Sequence, residues 1–305
     1  MKEQKPKGVW VTKHLTLGIQ PQNTRGLQIA GIVTFIGIVA VNAMGFIDHD
    51  TRSGLGCGTN WPLCHGSIIP SFANEAVIIE YVHRLLSVAF VAALAVFLIS
   101  AYKRRHQSAI FNRLTLALIG LLVTETVICT AGVLWNVPAA IMAWLAPIGL
   151  FAQGILLIML RRTGQNPDAD HKTGVNRPYR ILSLLGILTL VYLYFGAWLS
   201  YVSSVVPILS AIYLVSGILL ALSAILWIVS QARTGKGKKY GLWPMVFAPF
   251  VPSFESGTVA GDLIIYIWLS WCSGVVIYYL FGRVGRNIET IRTWQRPAIS
   301  SKPHQ

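Results

Sequence analysis

A chain of 305 residues with 54% hydrophobic and only 12% charged side chains, and a mean hydropathy of +0.59, has too little polar surface to be a water-soluble globule. The net charge of +14 raises nucleic acid as a partner. The basic residues, however, sit in alternate polar segments, as membrane insertion by itself requires, so nucleic acid is excluded and membrane lipids are the expected surroundings.

The polar stretch Met1 to Gly26 has neither an apolar core nor a small-residue cleavage site, so it is expected to be a retained tail, 1–26, rather than a removed signal. Apolar runs close to the length of a bilayer crossing follow at Leu27 to Ile47, Val77 to Tyr102, Leu114 to Trp135 and Pro138 to Leu160. The second half offers Ile181 to Ser200, Val205 to Ser230, Gly241 to Phe254 and Leu263 to Phe281. The seventh run is short and carries Pro244, Pro249 and Pro252, which alone would fit a re-entrant segment. Charge argues for a crossing. With the N-terminus inside, all of the 25 lysines and arginines except Arg52 and Arg84 fall on the inner side, provided that Gly241 to Phe254 traverses. Both termini are then cytoplasmic, in a cytoplasmic membrane.

The expected fold is therefore all-α and polytopic, with eight transmembrane helices arranged as two pseudo-repeated four-helix bundles. Residues 27–160 form the first bundle, with an outer loop at 48–76. A basic linker spans 161–180, a second and degenerate bundle 181–282, and an inner tail 283–305. Direct signs of repetition are thin, since nothing after Ser200 corresponds to the outer loop.

That loop reads "SGLGCGTNWPLCHG", Ser53 to Gly66. On the oxidising side, Cys57 and Cys64 can join in a disulfide closing a small ring, with Gly54, Gly56, Gly58 and Pro62 supplying turns. Three readings stay open: a structural staple, a redox-active bond, and a zinc or copper site built from His49, Cys57, Cys64 and His65. The other cysteines, Cys129 and Cys272, lie in apolar runs, where a free thiol behaves as a small hydrophobe.

The second run opens "NEAVIIEYVHRLL", in which Glu80, His83 and Arg84 share one helical face. Ionisable groups at that depth are functional suspects, and His83 is the only histidine within any apolar run. Histidine suits haem iron in a helical bundle, an arginine can neutralise a propionate, and a carboxylate can move protons. The plain alternative is a Glu80–Arg84 ion pair with His83 as a hydrogen-bonded packing residue. Glu125, flanked by Thr124 and Thr126, is either a threonine-bonded packing residue or a carboxylate facing a cofactor or proton path.

Together "TRSGLGCGTNWPLCHGSIIP" and "IIEYVHRLLS" resemble the haem A synthase family, whose members convert haem O to haem A for terminal oxidases. The likeness continues through "TETVICTAGVLWNVPAAIMAW" and ends with "YFGAW" at Tyr194 to Trp198. The resemblance implies two related four-helix bundles and a cysteine pair in the outer loop, here Cys57 and Cys64. It also implies that His83 serves the iron of the substrate haem, with Glu80 as the nearby catalytic carboxylate; Arg84 is expected, from its place beside them, to contact the cofactor. It further implies haem O and haem A as substrate and product, and haem O synthase or terminal oxidase subunits as partners.

The chain departs from the family pattern in four places. Leu145 stands where the family has a second iron-ligating histidine. No histidine occurs between His171 and His304, so a second-half bis-histidine haem b is not expected. The second interior should instead be filled by Tyr192, Trp198, Tyr213, Trp227, Trp268 and Trp271. Glu125 replaces a more usual glutamine, and "DHD", Asp48 to Asp50, makes the approach to the loop acidic. The leading expectation is an oxidoreductase acting on a haem methyl group, and the alternative a non-catalytic haem-handling or oxidase-assembly protein. A transporter ranks last, because it would want polar residues at mid-membrane in both halves.

Overall fold

A computed structural model describes residues 24–59, 63–72, 74–103, 109–135, 137–163, 179–202, 206–233, 242–251 and 258–294. Residues 1–23 and 295–305 of the expected tails, most of the linker, and Trp61 and Pro62 of the outer loop lie outside the described residues, whereas 283–294 of the expected inner tail continue α8. The described chain is all-helical: α1 (Thr24–Asp50), α2 (Glu75–Tyr102), α3 (Ala109–Trp135), α4 (Ala139–Met142), α5 (Leu145–Thr163), α6 (Tyr179–Tyr201), α7 (Pro207–Arg233) and α8 (Val259–Trp294). Seven stretches are long and apolar enough to cross a membrane, with α4 and α5 together making one of them. The protein is a multi-pass membrane protein. Hydroxyls inside these helices turn back onto their own backbone, as with Thr34 to Ala30 O at 2.7 Å and Thr189 to Leu185 O at 2.7 Å, which keeps them satisfied where water is absent.

Helix α1 runs antiparallel to α2 in a constant register, Gly31 meeting Phe97, Gly37 meeting Phe90 and Gly45 meeting His83. It also packs on α5 and α8. Helix α5 is the hub. Its residues enter both hydrophobic cores, one with Leu27, Ile38, Phe90, Phe97 and Leu118, the other with Leu185, Tyr192, Tyr213, Leu220 and Trp227. Helix α3 leans on α5, whereas α2 packs along α1 and, among the described residues, barely meets α3.

The seventh predicted crossing differs from expectation. Instead of a membrane-length α-helix, Trp243–Phe250 forms a 3₁₀ helix. At about 2.0 Å per residue such a segment covers roughly half of a ~30 Å hydrocarbon layer. The prolines are the cause, since Pro244 and Pro249 contribute no backbone N–H to a regular ladder. Tyr213 and Trp268, both near the beginnings of their helices, reach Tyr192, so α7 and α8 start at the same end. Side-chain donors also reach the carbonyls of this irregular backbone. Tyr192 Oη donates to Ala248 O at 3.0 Å, Tyr213 Oη to Val251 O at 3.0 Å, and Trp268 Nε1 to Pro244 O at 2.9 Å.

Tyr192, Tyr213 and Trp227 are buried in the second interior, with Trp198 and Trp268 packed against it. Trp271 departs from the expected filling. It is 55% exposed, because it faces outward from α8 rather than into the core.

Candidate functional site

The outer loop is folded onto the start of α2. Cys57 and Cys64 are joined by a disulfide, with Cα atoms 4.4 Å apart, and both are fully buried at 0% and 1% exposure. Asn74 caps α2 by accepting from Ala76 N at 3.0 Å. The loop backbone comes so close that a side chain at Gly56 would collide with the Ala76 carbonyl. Gly58, inside the ring, takes positive φ and helps the chain turn there, and His65 at 51° and Gly66 do the same just beyond it.

Glu80 and Arg84 hold that loop. Glu80, 4% exposed, accepts the Cys57 backbone N–H at 2.6 Å through Oε2. Its Oε1 takes Arg84 Nε at 2.9 Å and Nη2. Arg84 then donates onward, through Nη1 to Leu63 O at 2.8 Å and through Nη2 to Gly58 O at 2.6 Å, one carbonyl inside the ring on each arm. The ion pair considered in the sequence is therefore present, and it is spent on the disulfide loop.

His83 lies one turn from Glu80, with its imidazole over Gly45 of α1. Its Nδ1 stands 3.4 Å from Oδ2 of Asp48, the two side chains being 21% and 14% exposed. The partner of Nδ1 is a carboxylate of α1, not Glu80. The other Asp48 oxygen, Oδ1, is buried with no hydrogen-bond partner. Asp48 was legible in the sequence only as an unusual acid before the loop.

Glu125 meets α5 where Gly149 leaves room, since a methyl there would stand 2.8 Å from Glu125 Oε1 and 3.0 Å from Asn42 Oδ1. The neighbouring threonines do not serve Glu125 as donors: Thr124 and Thr126 hydroxyls donate to Gly120 O and Leu122 O, both at 2.8 Å. A polar chain continues from Asn42 Nδ2 to Gln153 Oε1 at 3.3 Å, and Tyr266 Oη reaches the same oxygen at 2.8 Å. Sequence reasoning overlooked Asn42, Gln153 and Tyr266. The first two could have been found as amides inside apolar runs.

His49 and His65 do not join the cysteines. His49 Nε2 pairs with Ser200 Oγ at 3.1 Å and its ring lies on Tyr201, while His65 Nε2 bonds Gly56 O at 2.7 Å. With the two sulfurs bonded to each other, the zinc or copper reading falls away. Among the described residues, no group of three or more His, Cys, Asp or Glu side chains could hold a metal ion. Leu145 is the first residue of α5, after the helix breaks at Ala143 and Trp144.

Haem iron needs only one side-chain nitrogen from the protein, and His83 fits that need. Asp48 accepts at Nδ1, and a carboxylate can only accept, so in a neutral ring the Nε2 lone pair remains for iron. The Cβ position of Gly45 lies 3.8 Å from Nε2 and Cε1, an ordinary packing contact, so this face of the imidazole rests on α1.

The family model for cytochrome oxidase assembly proteins, COX15-CtaA, matches residues 28–221, more than half of the chain, and the chain belongs to that family. It is 35% identical over 180 residues to a protein named heme A synthase from Exiguobacterium sp. strain AT1b, covering 57% of this chain and 58% of the relative. Heme A synthases from Exiguobacterium sibiricum and Shouchella clausii are 33% and 28% identical over 185 residues, each match covering 59% of this chain and 61% of the relative. The chain thus spans less than two thirds of the length of these relatives.

Proposed function

We propose that this member of the cytochrome oxidase assembly protein family is a haem A synthase-like oxidoreductase. It would oxidise one methyl group of haem O towards the formyl group of haem A, for terminal oxidase biogenesis. The observation that carries the reading is His83, paired through Nδ1 with Asp48 and one helical turn from Glu80, which seats the disulfide loop. When bound there, haem would supply both the iron that activates oxygen chemistry and the carbon that is oxidised.

The residues of the chain then divide the remaining work. His83 holds the iron. Glu80, expected from the sequence to move protons, acts with Arg84 as the clamp that seats the loop over the haem-facing end of α2, so neither is free for a propionate in this arrangement. Leu145 offers no second ligand. The topology proposed with this reading is eight traverses in two four-helix units, with both termini on the inner side of the cytoplasmic membrane and haem O synthase or an oxidase subunit as neighbour. The 3₁₀ segment would make the seventh traverse.

One observation favours a second reading. The second interior is filled by stacked tyrosines, Tyr192 and Tyr213 with centroids 4.6 Å apart, and by Trp227, which fits a haem-handling or assembly protein without catalysis. Expression with a haem O source separates the two. Haem A in the extracted pigment supports the synthase, whereas His83-dependent haem O that is never converted replaces it with the second reading. A His83→Ala protein with an unchanged haem spectrum overturns both.

A further inference from the structure

The haem reading makes a specific demand on the carboxylates around His83. Two lie near it, and sequence spacing favours Glu80, one helical turn away. The structure commits both Glu80 oxygens elsewhere, to the Cys57 N–H and to Arg84. Asp48 is committed to His83 at Nδ1 and has its second oxygen buried without a hydrogen-bond partner.

Resting on the proposed haem reading, we infer that Asp48 is the positioning residue for His83. Its carboxylate accepts the Nδ1 proton, fixes the tautomer that leaves Nε2 for iron, and sets the ring angle over Gly45. A histidine ligand is oriented by what its other nitrogen bonds, and a carboxylate there strengthens the ligand as a donor. The geometry explains why the acid belongs at position 48. In the α1–α2 register Gly45 faces His83, so a residue one turn later on α1 lies beside the Nδ1 edge of the ring. The last turn of α1 and the following hydroxyls hold Asp48 in place, with Ser53 N donating to Asp48 O at 2.8 Å and Thr51 Oγ1 meeting Ser53 Oγ at 2.7 Å.

A carboxylate partner gives the imidazole anionic character, which favours ferric iron and stiffens the iron–nitrogen bond. Asp48→Asn keeps the size and an acceptor oxygen while removing the charge. The test uses the purified full chain carrying haem O, with wild type, Asp48→Asn, Asp48→Glu and Glu80→Gln compared by resonance Raman spectroscopy, redox titration and haem dissociation. Asp48→Asn is expected to lower the ferrous iron–histidine stretching frequency, raise the midpoint potential and weaken haem binding by roughly 10–100-fold. Asp48→Glu should recover most of the wild-type frequency, and Glu80→Gln should leave it in place. An unmoved band and potential in Asp48→Asn, where His83→Ala loses the haem, overturn the inference alone. So does an equal shift in Glu80→Gln, because the band would then follow loop docking. A wild type that takes up no haem, or a His83→Ala spectrum identical to wild type, removes the haem reading and this inference with it.

Discussion

Replacing Arg84 with alanine tests whether the disulfide loop is seated by the clamp or merely rests on α2. The guanidinium makes four contacts, two to Glu80 and one each to Leu63 O and Gly58 O. Its loss strands a carboxylate that is 4% exposed, and breaking one side of a buried ion pair costs about 3–5 kcal/mol. Most of that cost can be relieved by lifting the loop away, so it appears as easier undocking rather than as global unfolding. Since both sulfurs are buried, a small thiol reaches Cys57–Cys64 mainly after undocking, and its rate follows the open fraction. At 1.36 kcal/mol per tenfold, the penalty becomes roughly a 10²–10⁴-fold faster reduction. The assay is timed reduction with a hydrophilic thiol, quenched by alkylation and read by mass, with Arg84→Lys expected between wild type and alanine. If Arg84→Ala is reduced no faster than wild type, the clamp has no energetic role and the assignment of Glu80 to the loop fails.

Two further outcomes test the interior. Tyr192→Phe removes the hydroxyl that bonds Ala248 O and meets Tyr213 Oη at 2.7 Å, and should cost about 1–3 kcal/mol in thermal or denaturant unfolding without altering any haem bound at His83; a haem spectrum that shifts instead would contradict the separation of the two halves. Gly149→Ala should displace Glu125 and Asn42 and cost roughly 1–3 kcal/mol, part of which is recovered when Glu125→Ala is added, whereas strictly additive costs would show that the two residues do not meet.

How far the sequence could be read follows from which interactions are local. Apolar runs of bilayer length and the alternation of basic segments located the seven long helices, because both signals act within each stretch. The cysteine ring and the Glu80–Arg84 pair were also legible, being separated by seven and four residues. What escaped was set by packing between distant segments. Asp48 reaches His83 across 35 positions, and Gln153 meets Tyr266 across 113, and no local pattern reports either pairing. The seventh segment was misjudged in form for a related reason. Its prolines forbid a regular helix, yet it is kept inside the bundle by Tyr192, Tyr213 and Trp268. In the sequence those side chains read only as apolar filling.

The same three residues bear on why chemistry would sit in one half of the protein. Backbone carbonyls freed at depth need donors, and in the second half the tyrosine hydroxyls and an indole N–H supply them. Polar groups spent in this way cannot also line a ligand site, and their rings fill the space that one would need. In the first half the long helices are regular and satisfy their own backbone, so Asp48, His83 and Glu125 are not needed for that purpose. There α2 stays apart from α3 while α1 and α5 close the back. On the proposed reading, the polar side chains near the clamped disulfide loop are thus available for haem in the half whose long helices satisfy their own backbone.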